Sequence, residues 1–318
     1  MPQQSTAALQ GIFTPNVVPL DARGRIDEDE LRRYIAWLIG QGVHGLYPNG
    51  STGEFTQFTP EERRRIVRIV SEQAAGHVLV VAGAAEANVQ ETLAACEAYR
   101  EFGARAAAIV APYYFRASPD AIFAYYREIA RQTPLDILLY NIPIFASPID
   151  VPTVCRLAEM PRVIGLKDSS GDMTSMLRMI REIRPRRPEF SFLSGSETTL
   201  APMLAMGCDG GVNAASGVMP DFFRKLYDLV KAGELEQARQ MQVAILEFFA
   251  AAVLSTEFPH GIRTAVALRG FKIGPSRQPQ SDSELAAWPK IAERIGQALA
   301  GLGYPPVHTP PLPGERGA

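Results

Sequence analysis

Several polar side chains of this sequence follow apolar, strand-like runs, where they could take part in chemistry. Lys167 comes directly after the run VIGL, and Tyr140 ends the run DILLY. An ammonium group at the end of a buried strand is desolvated, which favours the free amine that attacks a carbonyl group. A nearby phenol can move protons to and from the resulting imine. From position alone, a lysine whose head pairs with Asp168 or reaches solvent explains Lys167 at least as well.

Other candidates lie in short loops that follow similar runs. The loop NGSTG can present backbone N–H groups and the hydroxyls of Ser51 and Thr52 to an anion, or it can be a plain tight turn. Tyr113 and Tyr114 follow the run ARAAAIVAP, and adjacent strand residues do not point the same way. One of the two tyrosines therefore either reaches across a subunit contact or only packs. Asn213, in the turn GGVNAA, either faces the same site or is only a turn residue.

The elements that must position these residues alternate regularly along the chain. Eight short segments that are apolar on both faces are separated by amphipathic, helix-like stretches, as expected of a covered parallel sheet. Eight such units within about 220 residues favour a closed (β/α)8 TIM barrel over an open, doubly wound sheet. No G-x-G-x-x-G loop follows the first strand, as a dinucleotide-binding sheet would require. The candidate residues would then meet at the C-terminal ends of the barrel strands.

The same pattern predicts three parts of the chain. Residues 1–220 form the α/β barrel with the site, and residues 221–302 form a C-terminal helical extension in which the strand pattern stops. Residues 303–318 contain five prolines and few residues to bury, so they are predicted to be a flexible tail.

Composition excludes several classes of protein. The 318 residues carry 32 Lys and Arg against 34 Asp and Glu, a formal net charge of −2, which argues against a nucleic-acid partner. No apolar run approaches the roughly 18 residues of a membrane span, and the first residues lack the pattern of a signal peptide. The three cysteines fit neither a disulfide framework nor a zinc site, and the four histidines are far apart. These features predict a cytoplasmic protein without a metal.

Six motifs, taken together, resemble the dihydrodipicolinate synthase/N-acetylneuraminate lyase family of pyruvate-dependent class I aldolases. They occur in the family's order across roughly residues 11–220, and the helical C-terminal region fits as well. The motifs are GSTGEF at 50–55, APYY at 111–114, YNIP at 140–143, GLKDSSGD at 165–172, SG at 194–195 and GCDGGVNA at 207–214.

The resemblance implies a role for each matching residue. Lys167 would form the Schiff base with a 2-oxo acid such as pyruvate, and Tyr140 would shuttle the proton. The backbone amides of Ser51 and Thr52 would hold the carboxylate, with the Thr52 hydroxyl linked to Tyr140. Tyr114 of a neighbouring subunit would complete the relay in a homotetramer built as a dimer of dimers. No metal or organic cofactor is expected, because the lysine is itself the electron sink. Further substrate contacts are expected at Gly195, Asn213 and Phe145.

Departures from the family pattern concern the second substrate. Phe145 stands where dihydrodipicolinate synthases carry an arginine that clamps the aldehyde's carboxylate, and losing such a clamp costs about 2–4 kcal/mol. Sialic acid lyases carry an acidic pair where this chain has Glu197 and Thr198, and a serine where it has Ala214. Ile144 and Phe145 make the outer pocket apolar. This fits an uncharged or apolar aldehyde, or a relative that acts on deoxy-2-oxo sugar acids.

The sequence therefore predicts a lyase that makes or breaks a carbon–carbon bond between pyruvate, or another 2-oxo acid, and an aldehyde. The direction of the reaction stays open, as does a dehydratase that uses the same imine. Three alternatives remain. They are dihydrodipicolinate synthase itself, against which Phe145 argues, a non-catalytic 2-oxo acid binding protein, and a phosphate-binding barrel isomerase that uses the glycine-rich GCDGGVNA loop.

Overall fold

Eight parallel strands close into a barrel in sequence order, which confirms the predicted TIM barrel. The computed structural model describes residues 8–307. Its last strand pairs with its first through Gly11 and Gly210, and this pairing closes the sheet. The strands are β1 (Gly11–Pro15), β2 (Gly45–Tyr47), β3 (Leu79–Gly83), β4 (Ala106–Val110), β5 (Asp136–Asn141), β6 (Val163–Asp168), β7 (Ser191–Ser194) and β8 (Gly210–Gly211).

Helices surround the barrel and continue beyond it. The helices between strands and after β8 are α1 (Glu28–Gly40), α2 (Pro60–Ala74), α3 (Val89–Glu101), α4 (Pro119–Gln132), α5 (Val151–Leu157), α6 (Met173–Ile183), α7 (Leu200–Ala205) and α8 (Pro220–Lys231). The C-terminal extension contains α9 (Leu235–Phe249), α10 (His260–Leu268) and α11 (Asp282–Gly301). Helix α8 packs against α7 and β1, so it belongs to the outer layer of the barrel. The division of the chain at residue 220 stays a prediction.

Local sequence signals explain where the helices begin. Thr59 caps α2, its side chain accepting from the N–H of Glu62 at 3.3 Å while the Glu62 carboxylate accepts from the N–H of Thr59 at 3.0 Å. Pro60 occupies the first helical position, where its missing N–H costs nothing. Asp27 caps α1 in the same way, and Gly42, just after that helix, has a φ of 81° that favours glycine. Each of these signals lies within a few residues of the helix end that it fixes.

The barrel interior is packed with apolar side chains below its C-terminal mouth. At Gly45 of β2, a Cβ would lie 2.4 Å from the ring of Phe13, so glycine is what lets these two strands approach. The packed interior therefore supports the residues at the C-terminal mouth from below. Its buried members are Leu9, Phe13, Tyr47, Val81, Ala106, Ala108, Leu138, Leu193 and Val212.

The predicted flexible tail falls largely outside the described residues, as do residues 1–7. In the described stretch 303–307, the Tyr304 hydroxyl donates to the Asp221 carboxylate at 2.8 Å, and the Val307 N–H donates to the Leu268 carbonyl. This stretch is therefore bonded to the helices α8 and α10, unlike the extended, mobile tail expected there. Across residues 8–307, no helix is both long and apolar enough to cross a membrane.

Candidate active site

Lys167 lies at the C-terminal end of β6, with its side chain 4 % exposed. Its Nζ is 3.8 Å from the ring centroid of Tyr140 and 4.3 Å from that of Tyr47. Tyr140 is the register partner of Lys167 on the neighbouring strand β5, which brings the two side chains together. The lysine nitrogen therefore faces two aromatic rings, an arrangement that attracts a positively charged nitrogen such as that of an iminium. The site thus holds an amine between two phenols.

The carboxylate of Asp168 makes its hydrogen bonds elsewhere. It accepts from the Asn141 amide at 2.6 Å and from the Ser170 hydroxyl at 2.7 Å. Burial raises the pKa of Asp168 above its ordinary value, and these hydrogen bonds act in the opposite direction. Within residues 8–307, Lys167 makes no ion pair with any carboxylate. The structure therefore does not support the alternative, left open by the sequence, that Lys167 pairs with Asp168.

The loop after β2 brings a hydroxyl to Tyr140, but it is that of Ser51. Ser51–Gly53 form a 3-10 turn, and the Ser51 Oγ lies 3.4 Å from the Tyr140 Oη. The prediction that the Thr52 hydroxyl makes this contact is wrong. In a 3-10 turn, successive side chains are rotated by about 120°, so two adjacent hydroxyls do not face the same partner. Thr52 itself is buried beside the turn.

A buried ion pair fastens this loop to the C-terminal extension. Glu54 closes the turn with a φ of 51°, and its carboxylate accepts from Arg263 of α10 at 2.6 Å and from the Ser276 hydroxyl at 2.9 Å. Both side chains of the Glu54–Arg263 pair are only 6 % exposed. Arg263 also donates to the carbonyls of Val18 and Ile273. The extension therefore supports the loop that carries Ser51.

The loops after β7 and β8 form the opposite wall. Gly195 donates its N–H to the Asp168 carbonyl at 2.7 Å, and a Cβ there would lie 2.0 Å from the Ser169 hydroxyl. Asn213 is fully buried, and its Oδ1 has no hydrogen-bond partner among the described residues. Burial raises the pKa of Glu197, whereas the N–H of Ala215 and other backbone donors act in the opposite direction. The charge of the lysine on β6 also lowers it.

Two predicted site residues stand apart from this cluster in the single chain. Tyr114 is 86 % exposed, and its ring contacts that of Phe115 at 4.9 Å. Phe145 is about half exposed, and its ring lies 6.5 Å from that of Phe258. Phe145 belongs to the outer rim of the site and Tyr114 to the surface of the molecule.

A cavity of about 370 Å³ opens beside Ser51, and we call it the mouth pocket. Its lining is mainly apolar and is contributed by the loops after β2, β4 and β5 and by the segment before α10. Among the described residues that line it there is no lysine or arginine. The apolar and ring-bearing lining includes Phe55, Tyr113, Ile142, Phe145, Phe258 and His260.

Sequence reasoning missed Tyr47 and the Glu54–Arg263 pair. Tyr47 ends β2 two residues after the inward-facing Gly45, so strand alternation was a signal that could have found it. Its phenol has no partner among the described residues, and burial, with the neighbouring Tyr140, raises its pKa well above the usual value. For the arginine, the signal was a single charge in the otherwise apolar segment HGIRTAVAL. The partner of Arg263, Glu54, lies 209 positions away, so the sequence pattern could not identify it.

A metal centre finds no support in the described side chains. Between residues 8 and 307, no group of three or more His, Cys, Asp and Glu residues is arranged to hold a metal ion.

The fold and the site define a (β/α)8 barrel protein with a buried lysine at its mouth, enclosed by tyrosines. The family model of the dihydrodipicolinate synthetase family matches residues 8–298. The chain belongs to this family, as its motifs indicated.

Individual relatives agree over most of the chain. A 4-hydroxy-tetrahydrodipicolinate synthase from Rhodospirillum centenum is 33% identical over 249 residues, which cover 78% of this chain and 84% of that protein. An uncharacterized DapA-like lyase from Halobacterium salinarum is 34% identical over 272 residues, 85% of this chain and 88% of that protein. A prophage protein of the dihydrodipicolinic acid synthase family from E. coli K12, crystallised with pyruvate, superposes with a TM-score of 0.85 at 27% identity, covering 94% of this chain and 100% of that one.

Proposed function

We propose that this chain is a Schiff-base-forming aldolase or lyase that makes or breaks a carbon–carbon bond between pyruvate, or another 2-oxo acid, and an aldehyde. The observation that carries the proposal is the Lys167 Nζ, buried against the ring of Tyr140, whose hydroxyl meets that of Ser51. The pyruvate complex of the E. coli relative supports the choice of 2-oxo acid.

The reaction follows from these groups. The Lys167 amine adds to the keto carbon, and water leaves as the iminium forms. In the synthetic direction, a proton leaves the adjacent carbon and the electron pair moves into the iminium to give an enamine. The enamine attacks the aldehyde carbonyl, the new alkoxide takes up a proton, and water releases the product and restores the lysine. Cleavage is the same path in reverse, and no metal or organic cofactor is required.

The neighbours of Lys167 have separate tasks in this scheme. The Tyr140 hydroxyl takes and returns protons, with Ser51 as the next group in the relay. The N–H groups of Ser51 and Thr52 open a helical turn and have no partner inside it, so they suit the 2-oxo acid's carboxylate. Gly195 and Asn213 border the same site from the loops after β7 and β8. Phe145, which lines the mouth pocket, is assigned to contact the aldehyde.

We also propose that the chain assembles as a homotetramer, a dimer of dimers in which Tyr114 reaches the site of a neighbouring subunit. The exposure of Tyr114 and Phe115 supports this, because large apolar side chains grouped on a surface usually mark an interface. A cytoplasmic location is proposed from the cysteines, none of which forms a disulfide within the described residues.

Dihydrodipicolinate synthase itself is the second candidate, because relatives at about a third identity carry that name. Its carboxylated aldehyde would need a cation, and Phe145 and the rest of the mouth pocket offer none.

Borohydride reduction in the presence of pyruvate tests the proposal. We expect a stable adduct that mass spectrometry places on the peptide containing Lys167, and no adduct in Lys167→Ala. If the folded protein gives no adduct with pyruvate or with a bulkier 2-oxo acid, the Schiff-base proposal is contradicted. A non-catalytic binding protein or a different barrel enzyme would then be the better interpretation.

A further inference from the structure

We propose that the aldehyde partner carries a flat, uncharged aromatic group, and that this group occupies the mouth pocket. The inference rests on the proposed Schiff-base function and names the substrate class of that same site. It depends on the position of the pocket, on its ring-lined walls and on the absence of lysine and arginine from its described lining.

The pocket begins where the aldehyde must react. Ser51, part of its lining, has its hydroxyl 3.4 Å from that of Tyr140, whose ring lies against the Lys167 nitrogen. Val110 and Ile142 also line the pocket, and both belong to the apolar cluster that contains Tyr140. An aldehyde whose carbonyl reaches the enamine therefore extends its remaining atoms into this space.

Aromatic rings from four separate segments form the walls. Phe55 and Tyr113 lie edge to face, with ring centroids 6.4 Å apart, and Phe145 and Phe258 lie at 6.5 Å with a tilt of 36°. Spacings of 4.5–7 Å are those at which rings attract one another. A flat aromatic guest can make the same edge and face contacts with rings contributed by different loops.

The charges around the pocket disfavour an anionic guest. The Glu54 carboxylate is already bound to Arg263 and Ser276, so that arginine is not free to meet a substrate. Glu257, an exposed carboxylate, also borders the pocket. The described lining contains no lysine or arginine, so a carboxylated aldehyde would exchange its hydration for side chains such as Ser51, Gln57 and Gln278, without the charge-assisted contact of a guanidinium or an ammonium.

The volume suits a ring rather than a short chain. The cavity measures about 370 Å³, whereas an apolar cavity of about 150 Å³ is enough to bind benzene in another protein. A three-carbon aldehyde would leave most of this apolar space unfilled. With benzaldehyde and pyruvate, the new bond joins the methyl carbon of pyruvate to the aldehyde carbon. The proton lost from that methyl group is balanced by the one on the new hydroxyl, which gives 4-hydroxy-2-oxo-4-phenylbutanoate.

The test compares aldehydes on the whole enzyme with pyruvate present. We expect kcat/KM for benzaldehyde to exceed that for succinic semialdehyde by at least about tenfold, the scale of one missing charge-assisted contact. Phe145→Arg should reverse this order, while Phe145→Ala should weaken benzaldehyde turnover and leave imine formation with pyruvate intact. The matched control is Leu79→Ala, because Leu79 is an exposed apolar residue at the opposite end of the barrel.

Two outcomes separate this inference from the proposed function. If the pyruvate adduct forms on Lys167 but succinic semialdehyde is used as well as benzaldehyde, the aromatic assignment is overturned and the Schiff-base function stands. If no adduct forms, the aromatic pocket is tested separately, by measuring the binding of benzaldehyde to Lys167→Ala with ligand-observed NMR. Binding that Phe145→Arg abolishes supports the aromatic pocket, and no binding overturns it.

Discussion

At the scale of single residues, the site places two aromatic rings and one proton-transfer hydroxyl around the Lys167 nitrogen. The rings of Tyr47 and Tyr140 lie within 4.3 Å of Lys167 Nζ and attract the positive charge that appears there when the neutral amine becomes an iminium. The rings thus favour imine formation without taking part in it. The proton steps need a hydroxyl; that of Tyr140 meets the Ser51 hydroxyl, whereas that of Tyr47 has no partner among the described residues.

Tyr140→Phe separates these two tasks. The variant keeps the ring beside Lys167, so we expect borohydride trapping of pyruvate to proceed. Turnover should fall by about 10²–10⁴-fold, the usual contribution of a general acid–base group. Trapping yield and steady-state rate, measured on the same preparation, check this. Turnover close to that of the unmodified enzyme would remove Tyr140 from the proton relay.

The residue types of the site could be predicted from the sequence, but their orientation could not. Lys167 and Tyr140 follow apolar runs, and strand register then brings them together as expected. Which hydroxyl of the Ser51–Thr52 pair faces Tyr140 depends on the phase of a 3-10 turn, which neither residue type fixes. The structure settles this in favour of Ser51.

At the scale of elements, local signals and distant contacts behave differently. The caps at Asp27 and Thr59 act within four residues, so the starts of α1 and α2 are encoded locally in the sequence. The pair between Glu54 and Arg263 joins a loop after β2 to α10, and it depends on the finished fold. The loop that carries Ser51 is therefore held in position by a helix outside the barrel.

Arg263→Met tests that dependence. It leaves the Glu54 carboxylate buried without its cation, and such a loss costs about 3–5 kcal/mol in free energy of unfolding. We also expect slower trapping of pyruvate, because the loop loses its anchor. The control is Arg239→Ala on α9, whose pair with Glu236 is exposed to solvent, so its loss should change the free energy of unfolding very little. Urea unfolding measures the free energy of unfolding of both variants. If Arg263→Met loses as little stability as Arg239→Ala, the buried pair does not hold the loop.

At the scale of the whole molecule, large apolar side chains are grouped on the surface near the mouth. Tyr114, Phe115 and Ile144 are 86, 79 and 77 % exposed, and they lie in the loops after β4 and β5. The Ser147 hydroxyl accepts from the Ala117 N–H and so ties these two loops together. The apolar character of these residues can be read from the sequence, whereas the neighbouring subunit that would cover them in the proposed tetramer cannot. The same surface borders the site, so assembly and catalysis should be linked.

Phe115→Lys should therefore dissociate the protein and lower its activity together. Sedimentation velocity of the unmodified chain, 34.7 kDa, should give four times that mass, and the variant a smaller species. Leu79→Lys is the control, since it places the same charge on an exposed apolar residue at the far end of the barrel. A dimer in place of a tetramer would contradict the dimer of dimers but keep the exchange of Tyr114. An unmodified enzyme that is active as a monomer would contradict both, because a single chain leaves Tyr114 on the surface, in ring contact with Phe115.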